Sequence, residues 1–390
     1  GSLATDASGV STVNLGYEPQ WVLLKRSNGA GSWALLDTMR GWDHSASKRL
    51  QANVADAEEN YTFANGSLGV PTATGFTTKG AVIDSNATYI YIAIRRPMKT
   101  PEAGTEVFAP ITYTGNATSG TLRTTGILTD VVWSINKQGY APSVAYDRLR
   151  GSAKRLEQST TGVEISESLT AIGVSGFDTM SGYTAAQDQS AGGINFNAWT
   201  YVNYAFKRAP GFMDVVCYTG NSVTGREIPH NLGVAPELMI VKSRNNTGWW
   251  VVYSGLNTSY LKLFDTHAID TATFWNNTSP TSSVFTVNSH INVNLNPYTY
   301  VAYLFATLAG VSKVGSYTGT GADLNIDCGF SAGARFVLIK RTDTRITVAP
   351  TTGWYVWDSA RGIAAGNDPY SLLNSTAAEV TNTDYIDPLS

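Results

Sequence analysis

The chain repeats itself with a period of about 105 residues, three full passes and part of a fourth. Tyr-Thr-Gly recurs as Tyr113-Thr114-Gly115, Tyr218-Thr219-Gly220 and Tyr317-Thr318-Gly319. Three further signatures follow it in fixed order. The first is an apolar run ending in a base, at Pro19 to Lys25, Asp130 to Lys137, Pro236 to Lys242 and Arg335 to Lys340. The second is Asp-x-x-Arg-Gly, which pairs Asp37 with Arg40, Asp147 with Arg150 and Asp358 with Arg361; copy three lacks it. The third is a closing run at Thr88 to Ile94, Thr200 to Phe206 and Thr299 to Phe305. Ordered recurrence at this spacing means that the 390 residues are copies of one architecture, each long enough to bury its own core.

The apolar runs are strand-sized. Trp21 to Leu24 and Phe336 to Ile339 are apolar on both faces and read as central strands, whereas Thr299 to Phe305 alternates, with Val301, Tyr303 and Phe305 on one side. Asn28-Gly29 favours a tight hairpin, and no window shows helical periodicity. These features predict an all-β chain of tandem, jelly-roll-like β-sandwiches. The expected units are 1–110, whose first strand is missing, 111–215, 216–314 and a partial unit 315–390. The fourth stops before its closing strand, so the natural sequence is expected to continue on at least one side, or a partner to fill the gap.

Charged residues are only 15% of the chain and the net charge is −3, which supplies neither the basic field that nucleic acid requires nor a polybasic stripe for a membrane surface. No apolar run is long enough for a spanning helix, and the start Gly1-Ser2-Leu3 lacks signal-peptide character. Cys217 and Cys328 sit at non-equivalent points and form no staple. The histidines His44, His230, His267 and His290 lack ligand spacing, and no calcium loop of the required pattern exists, so no metal or other cofactor is expected.

Asp37/Arg40, Asp147/Arg150 and Asp358/Arg361 are read as turn-closing pairs, with the following Gly permitting positive φ. An acid recurs downstream as Glu58, Glu164, Asp270 and Glu379; it persists in copy three, so the two features are expected to be independent. Trp33, Trp249 and Trp354 share one repeat position and are assigned to the core. Trp42, Asp43 and His44, with Trp250, Trp275, Asn276 and Asn277, instead combine unrepeated rings with polar neighbours, the chemistry that stacks on and hydrogen-bonds a sugar.

The order Tyr-Thr-Gly, Gly-x-x-Pro with an apolar run and Lys-Arg, Trp-x-x-x-Asp-x-x-Arg-Gly, a Leu-led Asn/Ser stretch, Gly-Phe and Thr-Tyr resembles the tandem repeat of bacteriophage tail-fibre and related virion appendage proteins. It is carried by Gly16 to Arg26, Trp33 to Gly41, Leu50 to Glu58, Gly75-Phe76 and Thr88 to Arg96, and in unit four by Tyr317, Lys340-Arg341, Trp354, Arg361-Gly362 and Asn374 to Glu379. Unit two departs with Tyr140 near the place of the Trp. The resemblance implies a phage virion, partnership with other virion proteins and a homo-oligomer, a trimer by analogy, and it supplies no catalytic residue. Three functions follow as expectations: attachment to host surface polysaccharide or lipopolysaccharide, a structural spacer or connector, and a polysaccharide depolymerase. The last needs two carboxylates flanking a glycosidic bond, and no such pair stands out.

Overall fold

The computed structural model describes residues 1–44, 46–62, 68–80, 83–96, 98–118, 121–139, 141–151, 154–166, 176–179, 193–343 and 353–387. Among them the regular structure is β, apart from one 3-10 turn at Gly104–Glu106, and no helix is long and apolar enough to cross a membrane. Two compact units form. One comprises Gly1–Lys99 with Arg148–Gly151 and Pro229–Asn231; the other holds the rest, including nearly all of repeats two, three and four.

Repeats two and three carry the same six-stranded antiparallel sheet. In repeat two its order is an opening strand Phe108–Thr114, a closing strand Thr200–Phe206, a central strand Val131–Asn136, a third strand Val144–Asp147, a fourth strand Lys154–Glu157 and a short fifth strand Ile165–Ser166. Repeat three reproduces that order with Met213–Thr219, Thr299–Phe305, Leu238–Ser243, Trp250–Tyr253, Ser259–Lys262 and Asp270–Thr271. The register agrees as well: Val131 faces Phe206 where Leu238 faces Phe305, and Tyr113 faces Tyr201 where Tyr218 faces Tyr300. Alternation then gives each sheet two apolar faces. In repeat three the inner face brings Tyr218, Tyr300, Ala302 and Leu304 onto Phe285 and Val287 of a two-stranded ribbon, Arg226–Pro229 with Val284–Val287.

Repeat one orders its strands as Ser2–Ala4, Thr88–Arg95, Pro19–Arg26 and Ala34–Asp37. Its opening strand, expected to be missing, is therefore present but short: Leu3 pairs with Tyr89 at the register that Tyr113 and Tyr218 take in the later copies. The sequence signal was absent because Leu3 replaces the tyrosine. Repeat four has the central, third and fourth strands Phe336–Lys340, Trp354–Asp358 and Ser371–Leu372.

The Tyr-Thr-Gly signature has a steric origin. The Tyr218 hydroxyl donates to Val293 O at 2.7 Å and Tyr113 to Ile194 O at 2.6 Å, pulling each strand end against the loop that precedes the closing strand. The glycine then has no room for a side chain: a Cβ on Gly115 would lie 2.0 Å from Phe196 O, and one on Gly220 would lie 2.4 Å from Leu295 O. Tyr317 is half-exposed and Gly319 has open space around it, so the fourth copy keeps the tripeptide without the contact. Gly220→Ala is expected to cost about 1–3 kcal/mol by forcing backbone apart, and Gly319→Ala to leave the melting temperature unchanged; thermal denaturation of both variants checks the contrast.

Candidate functional site

The side chains that the repeats share converge where one repeat meets the next. Repeats two, three and four contact one another in a closed cycle through three recurring positions, the first two of which serve all three junctions. At the first, a backbone N–H donates to a carbonyl of the neighbour: Glu164 N to Arg244 O at 2.6 Å, Ile269 N to Thr342 O at 2.8 Å, and Glu379 N to Lys137 O at 2.9 Å. At the second, Trp250 Nε1 of repeat three donates to Glu157 O of repeat two at 2.8 Å, and Trp354 Nε1 of repeat four to Lys262 O of repeat three at 2.9 Å. Ser143 of repeat two completes the cycle by donating to Leu373 O of repeat four at 2.6 Å. At the third, the Tyr303 hydroxyl reaches Asp147 Oδ2 at 2.7 Å and the Tyr204 hydroxyl reaches Asp358 Oδ2 at 2.9 Å. Repeat three thus docks on two, four on three, and two on four.

Asp358 and Arg361 show what the Asp-x-x-Arg-Gly motif does. Asp358 accepts the Arg361 N–H at 3.0 Å and Arg361 Nε at 2.6 Å, while Arg361 also binds Glu379 at 3.1 Å, Ser371 Oγ at 2.6 Å and Val356 O at 2.8 Å. Its last donor reaches the Tyr204 hydroxyl at 3.0 Å, so a turn of repeat four is tied to the closing strand of repeat two. Burial works against the charged guanidinium, but Tyr204, Asp358 and Glu379 outweigh it and hold Arg361 above its ordinary range; burial pushes the Tyr204 phenol well up. Asp147 and Arg150 are both fully buried as well. In repeat one, Arg40 pairs with Asp37 and binds Glu58 at 2.8 Å in a more open setting. Buried charges paired in this way fix geometry.

Two sequence assignments change. Val251 lies opposite Val241 and Lys262 as Tyr355 lies opposite Ile339 and Leu372, so Trp250 and not Trp249 shares the register of Trp354. The paired Trp249-Trp250 hid the one-residue offset; Trp249 stacks on Tyr260 at 6.0 Å, with Lys262 Nζ 4.2 Å above it. In repeat two that register position belongs to Ser143, and Tyr140 lies outside the described residues. Likewise Asp270 pairs with Tyr260 in register with Ile165, and Ile269 occupies the place of Glu164. The acid and the Asp-x-x-Arg-Gly motif are therefore both absent from copy three, while in copy two the acid Glu164 pairs across the junction with Arg244 at 2.8 Å.

The rings assigned to sugar stacking are closed off. Trp42, Trp250 and Trp275 are each at most 1% exposed, and their indole N–H groups are spent on Gly69 O, Glu157 O and Ser259 O. Trp42 packs edge-on to Phe76 at 6.1 Å and Trp275 edge-on to Tyr253 at 5.5 Å. Asp43 caps the turn by accepting Ala46 N at 3.0 Å, and His44 Nε2 lies 3.1 Å from Pro71 O. Asn276 and Asn277 take positive φ, a turn role that suits asparagine. Short polar neighbours marked tight turns after core tryptophans, not a binding face.

The sequence motifs assign no role to Tyr204, Tyr303 or Lys242. The signal was available in the closing runs, where a tyrosine recurs on the outward face of an otherwise apolar strand. Another acidic group, Asp368, Asp384 and Asp387, brings carboxylate oxygens within 4.8 Å of one another, but buried Asp368 already accepts backbone N–H from Ala364 and Ile386.

A model described as a domain of unknown function, DUF7483, matches residues 1–97 and 103–390. The chain belongs to that family. The second matched stretch of the family coincides with the three repeats that close on one another. Neither the curated proteins nor the solved structures contain a match.

Lys242 is fully buried and donates to Thr161 O of repeat two at 3.1 Å and Gly248 O at 3.0 Å. Burial lowers its ammonium to about 7. The unfolded chain, with an ordinary lysine, holds the proton up to higher pH, so folding releases it and stability must rise with pH above 7. The slope from this one group is on the order of 1 kcal/mol per pH unit. Between pH 7 and 9 the melting temperature is expected to increase, and Lys242→Met should flatten that increase.

Proposed function

We propose that the chain is a structural module of a bacteriophage virion appendage, in which β-repeats are joined into closed groups of three. The observation that supports this reading is the fate of the shared charged residues: Asp358 and Arg361 are 0% and 1% exposed and bind across a repeat junction. Residues kept from copy to copy serve the joining of copies, which is the economy of a building element. The setting on a phage particle rests on the resemblance of the ordered repeat. Of the three expectations from sequence, the spacer or connector is favoured over attachment to host glycan, since the tryptophans proposed for stacking are buried. Depolymerisation has no support in the recurring acidic residues, since Asp37, Asp358, Glu58, Glu164 and Glu379 pair with arginine.

Particles of a phage encoding the chain, labelled with antibody against it, are expected to carry the label, while the purified chain is expected to give no retention on an array of bacterial capsular and lipopolysaccharide glycans. Unlabelled particles contradict the virion assignment. Glycan binding that survives competition by unrelated polysaccharide contradicts the purely structural role.

A further inference from the structure

The inward sheet face of repeat two is polar at a point where the other copies are apolar. By the register in which each central strand meets its third strand, one inward position is Leu24 in repeat one, Val241 in repeat three and Ile339 in repeat four, but Ser134 in repeat two. Beside it on the closing strand, Asn203 takes the place of Ala302 and Ala205 the place of Leu304. Relative to repeat three, the face has exchanged methyl groups for a hydroxyl and an amide, and it has lost volume at two of these three positions.

These polar groups are enclosed. Ser134 is 1%, Asn136 4% and Asn203 0% exposed. Ser134 lies directly opposite Asn203, and Asn136, two residues along, lies opposite Tyr201, so alternation sends all three polar side chains to one side of the sheet. Yet Ser134 Oγ, Asn136 Nδ2 and both amide atoms of Asn203 have no hydrogen-bond partner among the described residues. The phenols beside them are committed elsewhere: Tyr113 donates to Ile194 O at 2.6 Å and Tyr201 to Gly193 O at 3.1 Å. Asn136 Oδ1 is spent on Gln138 N at 2.8 Å. A buried amide and hydroxyl left without partners would cost a large part of the net stability of a domain.

The unspent atoms decide what kind of guest satisfies them. Asn203 offers a donor and an acceptor, Ser134 a hydroxyl that is both, and Asn136 a donor. None of the four carries charge, and Arg155, which shares the face, is paired with Glu157 at 3.1 Å. The set therefore calls for a neutral guest that donates and accepts at once, and burial this complete calls for a small one. We infer that repeat two holds ordered water against the inward face of its sheet, bonded to Ser134, Asn136 and Asn203. Internal water of this kind is part of the fold and binds wherever two to four polar groups converge in an enclosed space. Leu24, Val241 and Ile339 offer no such group at the same point, so the hydrated interior belongs to repeat two. The inference rests on the polar groups of one sheet and is independent of the virion assignment.

A crystal structure of the whole chain, with water oxygen-17 relaxation dispersion in solution, tests it. Water oxygens are expected within hydrogen-bonding distance of Ser134 Oγ and of both Asn203 amide atoms, together with a dispersion from waters that stay longer than the molecule takes to tumble. Ser134→Val combined with Asn203→Ala installs the residues of repeat three. This double variant should lose those waters and the matching part of the dispersion without a large fall in melting temperature, because the polar groups and their partners leave together. If the variant fails to fold, the wild-type structure still decides. An interior with no water at these atoms, side chains turned to bond one another or the backbone, or a larger molecule in the same place overturns the inference, as does a folded double variant with the dispersion undiminished.

Discussion

Burial of the outward sheet face between repeats is the interaction on which the larger unit depends. A strand pattern apolar on both faces cannot be satisfied by one sheet packing on one ribbon, since half of its apolar surface would remain in water. Repeats two, three and four solve this by presenting those faces to one another, and Phe206, Phe305 and Phe336, one from each, meet at 5.9 and 6.1 Å. Each aromatic ring withdrawn from water in this way contributes about 4–6 kcal/mol at most. The apolar face thus supplies the bulk of the attraction, and nothing in it selects one register over another.

Selection falls to the polar groups. Trp250 and Trp354 each have one carbonyl to reach, Tyr204 and Tyr303 each have one carboxylate, and a shift of one residue along either strand would reverse every side chain and orphan these donors. The Asp-x-x-Arg-Gly turn belongs to this layer. In repeat four its arginine, Arg361, binds its own Asp358, the downstream Glu379 and the neighbour's Tyr204, so breaking any one contact leaves a buried charge underpaired. Copy three dispenses with the whole group, and Ile269 and Ser254 take the places of acid and aspartate.

Much of the fold was legible in the sequence because periodicity of two and repetition at a fixed interval are direct consequences of strand geometry. The all-β class and the closing strands Thr200–Phe206 and Thr299–Phe305 follow from it. The junctions were not legible, since two residues that meet across a junction, such as Tyr204 and Asp358, lie far apart in the chain and share no pattern. The same gap explains the misplaced sugar site. Trp42 and Trp275 stand beside polar residues in sequence, and only three-dimensional packing reveals that those neighbours shape turns while the rings face the core. Where the register was inferred from motif spacing alone, the doubled Trp249-Trp250 and the adjacent Ile269-Asp270 each shifted it by one residue.

The central claim is that one junction side chain supports all three repeats. Native-state hydrogen exchange on Arg361→Met measures this most directly. Truncating a partner of a buried ion pair costs about 3–5 kcal/mol. If the repeats stand as one cycle, protection should fall by a similar free energy in the closing strands Thr200–Phe206 and Thr299–Phe305, although Arg361 lies in repeat four. Loss of protection confined to Phe336–Lys340, Trp354–Asp358 and their own loops, with both closing strands unchanged, would show that each repeat stands alone and would contradict the account.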